Sequence, residues 1–131
     1  MQTPRFISID EVLELHEDQN SSFGGTSGVR DEGLLESALA QPQATFGGQF
    51  LHPKISEKAA AYLYHIAMNH PFIDGNKRTA FAVTDTFLRL NGCTLNLMDD
   101  RAYDLVMQVA RGTMTKEELS TELDSSIVVE F

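Results

Sequence analysis

Residues 70 to 78 read His70-Pro71-Phe72-Ile73-Asp74-Gly75-Asn76-Lys77-Arg78. This segment is the most informative one for both the fold and the function of the chain. It lies between two stretches whose apolar residues recur at helical spacing. Pro71 disfavours a helical conformation in the residue before it, and Gly75 permits a sharp turn. We therefore predict a tight loop over His70–Gly75 that joins two helices.

The two helices that flank this loop are the third and fourth of the chain. The third is predicted to open at Ser56 and to end near Asn69 or His70, and the fourth to run from about Asn76 to Leu90. Apolar residues cover most of the circumference of the fourth helix, so we expect it to be the most buried one: Ala80, Phe81, Val83, Phe87, Leu88 and Leu90.

Two more helices are predicted before this pair. Ser8, with Glu11 three residues later, is a capping-box signal for a first helix over about Ser8–Gln19. The segment Asn20–Val29 is rich in Ser and Gly and is predicted to be a loop. Asp31 can then cap a second helix, whose apolar face carries Leu34, Leu35, Ala38 and Leu39.

The remaining segments complete the predicted fold. Gln43–Pro53 is either a loop or a short hairpin, and the C-terminal residues Ile127–Phe131 are β-prone but short. Asp99 is predicted to cap a fifth helix, and Thr115 with Glu118 forms a capping box for a sixth. The sequence thus predicts an all-α, compact bundle of about six helices, and a single domain over all 131 residues.

Composition narrows the function classes. The chain has 10 Lys and Arg against 19 Asp and Glu, a formal net charge of −9, which opposes direct nucleic-acid binding. It has no apolar run long enough to span a membrane and no signal-peptide pattern at its N-terminus. Its one cysteine, Cys93, cannot form an intramolecular disulfide. We expect a cytoplasmic protein without a membrane partner.

The start of the fourth helix is a candidate anion site. Helix N-termini present unpaired N–H groups and a positive dipole end, and Gly75 would let a ligand approach the backbone closely. Asn76 is expected to act as the N-cap. Lys77 and Arg78 place two cations where the dipole disfavours them, which a bound phosphate would compensate.

Two further groups in the loop suggest chemistry. Asp74 is suited to Mg²⁺, which is held by one or two carboxylates together with phosphate oxygens. His70 can act as a base near neutral pH. This combination fits transfer of a phosphate-containing group to a hydroxyl, although the same run is also compatible with an ordinary helix–loop–helix turn.

The nine residues closely resemble the signature of the Fic/Doc family, specifically its death-on-curing (Doc) toxin branch. The segment Gly28–Ala40, followed by Gln41-Pro42-Gln43, resembles an earlier part of the same family. The resemblance implies the following roles: His70 as the general base, Phe72 as a structural anchor, Asp74 as the Mg²⁺ ligand, and Gly75, Asn76, Lys77 and Arg78 as the nucleotide-phosphate ligands.

Two departures from the broader Fic pattern favour the Doc branch. Lys77 stands where the Fic motif has glycine, and Phe81 stands where it has a second arginine. The resemblance then implies a kinase that transfers the γ-phosphate of ATP to a protein hydroxyl, with a threonine of elongation factor Tu as the known target class. AMP transfer by the same site and a non-catalytic binding module with this fold remain alternatives.

The resemblance also implies a protein partner. Neither Thr113–Glu118 nor Ser126–Phe131 matches the glutamate helix with which many Fic proteins restrain themselves, so a small Phd-type antitoxin is expected. Gln43–Pro53 corresponds either to the family's flap over the target chain or to a plain surface loop. The other histidines, His16, His52 and His65, do not form a zinc or HD-type motif.

Overall fold

The computed structural model describes residues 3–130, and within this range the chain forms a bundle of six α-helices with two short antiparallel strand pairs. The helices are α1 (Ile9–Phe23), α2 (Glu32–Ala40), α3 (Ile55–Asn69), α4 (Asn76–Leu90), α5 (Asp99–Ala110) and α6 (Lys116–Ser126). The strands are β1 (Thr45–Phe46), β2 (Gln49–Phe50), β3 (Cys93–Leu95) and β4 (Ile127–Val129). The predicted helical bundle is confirmed.

Helix α3 is the centre of the bundle and packs against α2, α4, α5 and α6. The prediction that α4 is the most buried helix is therefore wrong. The small side chains of Ala59, Ala60 and Ala61 let neighbouring helices approach α3 on several sides, and all three are fully buried. On α4, by contrast, Phe81 is half-buried and Leu90 is 38% exposed.

Three helix starts follow the predicted capping signals. Ser8 Oγ accepts a hydrogen bond from the backbone N–H of Glu11 at 3.2 Å, and Glu11 accepts one in return from Ser8 N at 3.0 Å. Asp31 Oδ1 accepts from Leu34 N at 3.0 Å, and Thr115 closes a second reciprocal capping box at α6. These caps satisfy N–H groups that have no partner inside the helix.

Two other predicted caps are shifted by one or two residues. Helix α3 begins at Ile55 after the extended residue Lys54, and Ser56 is already inside the helix and buried. Helix α5 begins at Asp99 itself, after the extended residue Met98. In its first turn Asp99 still interacts favourably with the helix dipole, although it is not the cap.

Helix α1 is longer than predicted and ends at Phe23 instead of Gln19. Asn20, predicted to open a loop, is buried within the helix, and its amide donates to the carbonyl of Thr26 at 3.2 Å. Gly24 ends the helix with a positive φ of 80°. The last turn of α1 therefore reaches the loop that follows it and orders its first residues.

The predicted hairpin is present, but it does not lie at the candidate site. Strands β1 and β2 pair antiparallel just before α3. Lys58, near the start of α3, donates to the carbonyls of His52 and Pro53 at 2.6 and 3.1 Å and lies 4.1 Å from the ring centroid of Phe50. His70 follows the C-terminal end of α3. Because α3 has 15 residues, this end lies about 22 Å from the N-terminal end. No residue of Gln43–Pro53 lines the cleft described below, and the interpretation of this segment as a flap that holds the target chain stays a prediction.

The C-terminal segment closes the bundle by pairing β4 with β3, so that Cys93 faces Val129 and Leu95 faces Ile127. Cys93 is buried in this packing, and burial raises the pKa of its thiol. Phe131, the last of the β-prone residues, lies outside the described range. None of the helices within residues 3–130 combines the length and apolar character needed to cross a bilayer.

Candidate functional site

The loop between α3 and α4 begins with a left-handed residue. His70 caps the end of α3 with φ 52° and ψ 53°, and it is the one non-glycine residue of the described chain with positive φ. Such a conformation costs roughly 1–2 kcal/mol for an ordinary side chain. Strain of this kind persists where the surroundings enforce it, and it concentrates at functional sites.

Asn76 organises this loop from inside the next helix. It is not the N-cap, as predicted; Gly75 takes that position with φ 76°, and Asn76 is the first helical residue and is buried. Its side chain accepts from Phe72 N and donates to Phe72 O, both at 2.9 Å. The same amide nitrogen lies 3.0 Å from Nδ1 of His70. The amide thus binds the loop backbone and the imidazole rather than the helix terminus.

Phe72 is the apolar anchor of the loop, as the resemblance implied. It is fully buried, and the ring of His16 stacks on it at a centroid distance of 3.8 Å. The Nε2 atom of His16 donates to the carbonyl of Asp74 at 2.7 Å. Helix α1 therefore holds the middle of the loop through one buried histidine that makes both an aromatic and a polar contact.

The carboxylate of Asp74 points away from the core and is held by the backbone. It accepts from Thr26 N at 3.1 Å and from Gly75 N at 2.9 Å. These two N–H groups lower the pKa of Asp74, and the nearby Arg78 lowers it further. Asp74 is exposed and stays ionised at neutral pH, which is the state that a Mg²⁺ ligand requires.

The N-terminus of α4 has the features of an anion site. The first intrahelical bond runs from Thr79 N to Gly75 O at 3.0 Å, so the N–H groups of Asn76, Lys77 and Arg78 precede it and have no partner in the helix. Lys77 is exposed. Arg78 donates to Gly24 O at 2.7 Å, which ties α4 to the loop after α1. Of the two cations, Lys77 is therefore the freer one.

These groups line one cleft of about 860 Å³. One part of its wall is polar and comes from the loop and the start of α4, and it includes every residue predicted for the site except Phe72, which lies beneath it: His70, Asp74, Gly75, Asn76, Lys77 and Arg78. Another part of the wall is mostly apolar and comes from α4 and α5: Phe81, Ala102, Tyr103, Val106 and Met107, together with Asp99. Such a mixed cleft suits a ligand with a charged end and a flat apolar end.

The side chains that could act as metal ligands limit how a metal ion could be bound. Among the described residues, no group of three or more His, Cys, Asp or Glu side chains is arranged to bind a metal ion. Asp74 is the single carboxylate in the loop. This fits Mg²⁺, which keeps several waters and takes one or two protein carboxylates together with phosphate oxygens, and it does not fit an all-protein metal cage.

The other histidines lie elsewhere. His65, in the middle of α3, lies 3.2 Å from Nζ of Lys116, and burial together with the charge of Lys116 lowers its pKa to about 4. Burial also lowers the pKa of His52. Neither of these two histidines lines the cleft.

The sequence interpretation missed several residues that hold the loop. Val12, His16 and Asn20 recur every four residues on α1, and all three are buried. Two polar residues on a buried helix face signal a polar partner, but the predicted helix ended before Asn20. Arg30 was also missed, because it is 40 positions before the residue whose carbonyl it binds.

Comparisons with known proteins agree with this geometry. The profile of the Fic/DOC family matches residues 6–88. Toxin Doc of Mycolicibacterium smegmatis is 46% identical over 104 residues, which cover 78% of this chain and 80% of that protein. Protein kinase doc of Escherichia phage P1 is 33% identical over 119 residues, covering 91% and 93%. The matched range contains α1, the cleft loop and nearly all of α4, and the chain belongs to the Fic/DOC family.

Proposed function

We propose that this protein is a Doc-type toxin that transfers the γ-phosphate of ATP to a hydroxyl of a target protein, a threonine of elongation factor Tu, and so arrests translation. The observation that carries the proposal is the single cleft that contains His70, Asp74 and the free N–H groups of α4 beside an apolar wall. The two relatives, one named a toxin and the other a protein kinase, support it.

Each site residue has a separate role in the proposed reaction. His70, in its neutral form, takes the proton of the target hydroxyl as its oxygen bonds to the γ-phosphorus. The bond between that phosphorus and the bridging oxygen breaks, and ADP leaves. The N–H groups at the start of α4, with Lys77 and Arg78, stabilise the charge on the transferring group.

Asp74 and the apolar wall complete the proposed nucleotide site. Asp74 would hold Mg²⁺, which neutralises phosphate charge when it is bound. Phe81, Tyr103 and Val106 offer apolar surface in the same cleft, against which a purine base can be buried. The charged and apolar ends of ATP thus correspond to the two walls.

Two side chains support the proposal that phosphate and not AMP is transferred. Phe81 takes the place of an arginine that could bind phosphate in bidentate fashion, and it adds to the apolar wall instead. Lys77 puts a side chain where a glycine would leave the backbone open to close phosphate contact. Both weaken the nucleotide pose for AMP transfer and favour transfer of the γ-phosphate.

The test is incubation of the purified protein with elongation factor Tu and Mg²⁺, in parallel with γ-labelled and α-labelled ATP. We expect the γ-label alone to move to the target, and His70→Ala to abolish transfer while its circular-dichroism spectrum stays unchanged. Movement of the α-label would establish AMP transfer instead. Growth arrest without transfer of either label would favour a binding module.

We further propose a small Phd-type antitoxin as partner. The rim of the cleft carries exposed apolar side chains, Phe23, Ile73 and Tyr103, next to the polar loop. A surface of this kind is suited to a protein that covers the site. Because the proposed target is a translation factor, we propose that the protein acts in the cytoplasm. Co-expression with the product of an adjacent small reading frame should restore growth; continued arrest would contradict the partner.

A further inference from the structure

The backbone around the left-handed residue His70 accepts hydrogen bonds from a segment that lies 40 positions earlier in the chain. The guanidinium of Arg30 donates from Nε to His70 O at 2.7 Å and from Nη2 to Asn69 O at 3.0 Å. The backbone N–H groups of Arg30 and Asp31 both donate to Pro71 O, at 2.7 and 3.0 Å. Three consecutive carbonyls are thus bound by two neighbouring residues.

The contact suits an arginine in particular. The last carbonyls of a helix have no intrahelical partner and lie at the negative end of the dipole. A planar guanidinium can donate to two adjacent carbonyls at once, whereas a lysine ammonium is a point charge without this fork. Glycine or asparagine usually occupies a left-handed position after a helix, so a histidine there needs such support.

Arg30 lies outside the cleft in which the nucleotide is proposed to bind, whereas His70 lines it. Its neighbour Val29 forms a β-bridge with Phe72, and Ile73 N donates to Gly28 O at 3.1 Å, so the segment follows the loop along its length. Movement of the guanidinium would therefore release the carbonyl of His70 without touching the phosphate ligands.

We propose that Arg30 is a positioning residue that sets the orientation of the His70 imidazole by locking the left-handed backbone at position 70. The activity part of this inference rests on the proposed phosphate transfer. The structural part, that Arg30 determines the conformation of His70, does not.

The kinetic experiment compares Arg30→Ala and Arg30→Lys with Arg111→Ala. Arg111 is exposed and its side chain makes no hydrogen bond or ion pair within residues 3–130, so it controls for loss of one positive charge. We expect kcat of Arg30→Ala to fall on the order of 100-fold, since small misplacements of a catalytic group have effects of this size. The kcat of Arg30→Lys should fall less than that of Arg30→Ala, and the KM for ATP should change little in both variants.

A structural readout keeps the inference testable if no phosphate transfer is found. Backbone and imidazole NMR signals of His70 should shift in Arg30→Ala and Arg30→Lys and stay unchanged in Arg111→Ala. If Arg30→Ala does not fold, Arg30→Lys decides. Added guanidinium at low concentration should restore part of the activity of Arg30→Ala and none of that of His70→Ala.

Two results would overturn the inference. One is a folded Arg30 variant whose His70 signals and kcat match those of Arg111→Ala. The other is a rise in KM for ATP at constant kcat, because it would mean that Arg30 contributes to nucleotide binding instead. Failure of transfer in the wild-type protein together with shifted His70 signals would refute the proposed function alone.

Discussion

His70 has a backbone conformation that most side chains avoid, and this restricts how its chemistry can be tested. Asparagine adopts the left-handed region more readily than alanine. His70→Asn therefore removes the base while disturbing the loop less than alanine does. The position is exposed, so little packing is lost with the ring.

We predict that His70→Asn lowers the rate of phosphate transfer about 10²–10⁴-fold, the usual contribution of a general base. Its thermal unfolding midpoint should stay close to that of the wild type. His52→Asn is the matched control, since His52 lies at the far end of α3 outside the cleft. Equal activity of the two variants would remove His70 from the mechanism.

Asp74→Asn tests the proposed metal ligand. Asparagine keeps one oxygen, which can accept from either Thr26 N or Gly75 N, but it loses the second acceptor oxygen and the charge. We predict that calorimetry with a non-hydrolysable ATP analogue shows Mg²⁺ affinity reduced by at least about tenfold, or about 1.4 kcal/mol. Asp99→Asn, which removes another carboxylate at the cleft, should bind Mg²⁺ normally.

The lowered pKa of Asp74 adds a pH condition to this prediction. Because the folded-state pKa lies below its ordinary value of 3.8, the carboxylate is ionised throughout the neutral range. Mg²⁺ affinity should therefore not titrate through this group between about pH 5 and pH 8. Loss of affinity centred in that range would assign the metal to a different ligand.

At the scale of elements, the start of α4 depends on Gly75. This residue is constrained both by its backbone conformation and by atoms close to its Cα. Gly75 has a positive φ of 76°, and a Cβ built there would lie 2.9 Å from Asn20 Oδ1 and 3.1 Å from Arg78 Nη2. The position thus needs glycine for the turn and for the close approach of α1. Gly112 has the same φ of 76° with nothing within 4 Å of its Cβ position.

This pair of glycines separates strain from contact. We predict that Gly112→Ala lowers the free energy of unfolding by about 1–2 kcal/mol, the cost of the left-handed conformation. Gly75→Ala should cost more in urea unfolding and should also weaken ATP binding, because Arg78 and Asn20 must move. Equal losses of stability with normal binding would show that the contact at Gly75 is unimportant.

At the scale of the whole molecule, α3 lies at the centre of the bundle, and its residue His65 therefore packs against a neighbouring helix, α6. Burial and the charge of Lys116 lower the pKa of His65 to about 4 from an ordinary value of 6.5, with His52 adding in the same direction. Between these values the unfolded chain binds a proton that the folded chain does not. The folded state is therefore destabilised as pH falls through this window, and the stability is fully present above about 6.5.

We predict that the unfolding midpoint falls as pH decreases from about 6.5 toward about 4, and that His65→Gln reduces this dependence. Glutamine keeps an oxygen that can accept from Lys116 but cannot be protonated in this range. Thermal unfolding at a series of pH values measures both slopes. Identical slopes for the two proteins would mean that His65 does not control the acid sensitivity.

The sequence predicted well where the physical cause is local. Capping boxes at Ser8 and Thr115 and the cap at Asp31 each involve residues three apart, and the structure contains all of them. The nine-residue segment His70–Arg78 is contiguous, so the resemblance to the family could assign all of its residues to one site from the sequence alone. The prediction of a single domain over the whole chain stays a prediction.

The predictions failed where the cause is distant contact. No local pattern shows that the alanines of α3 lie at the centre of the bundle, or that the hairpin lies at the far end of that helix. Asn76 was expected to cap a helix because its neighbours in sequence suggest it, but its side chain binds the preceding loop. Local propensity is a weak constraint when a buried polar partner is available.

The sequence by itself determined the helices, half of their predicted N-terminal caps and the identity of the loop residues, because these depend on periodicity and on neighbours a few positions apart. Only the tertiary structure decided what holds that loop in place. His16 and Arg30 reach it from α1 and from the segment before α2, and α5 supplies apolar residues to the cleft. These contacts join residues far apart in the chain, and packing of the whole bundle determines which of them meet.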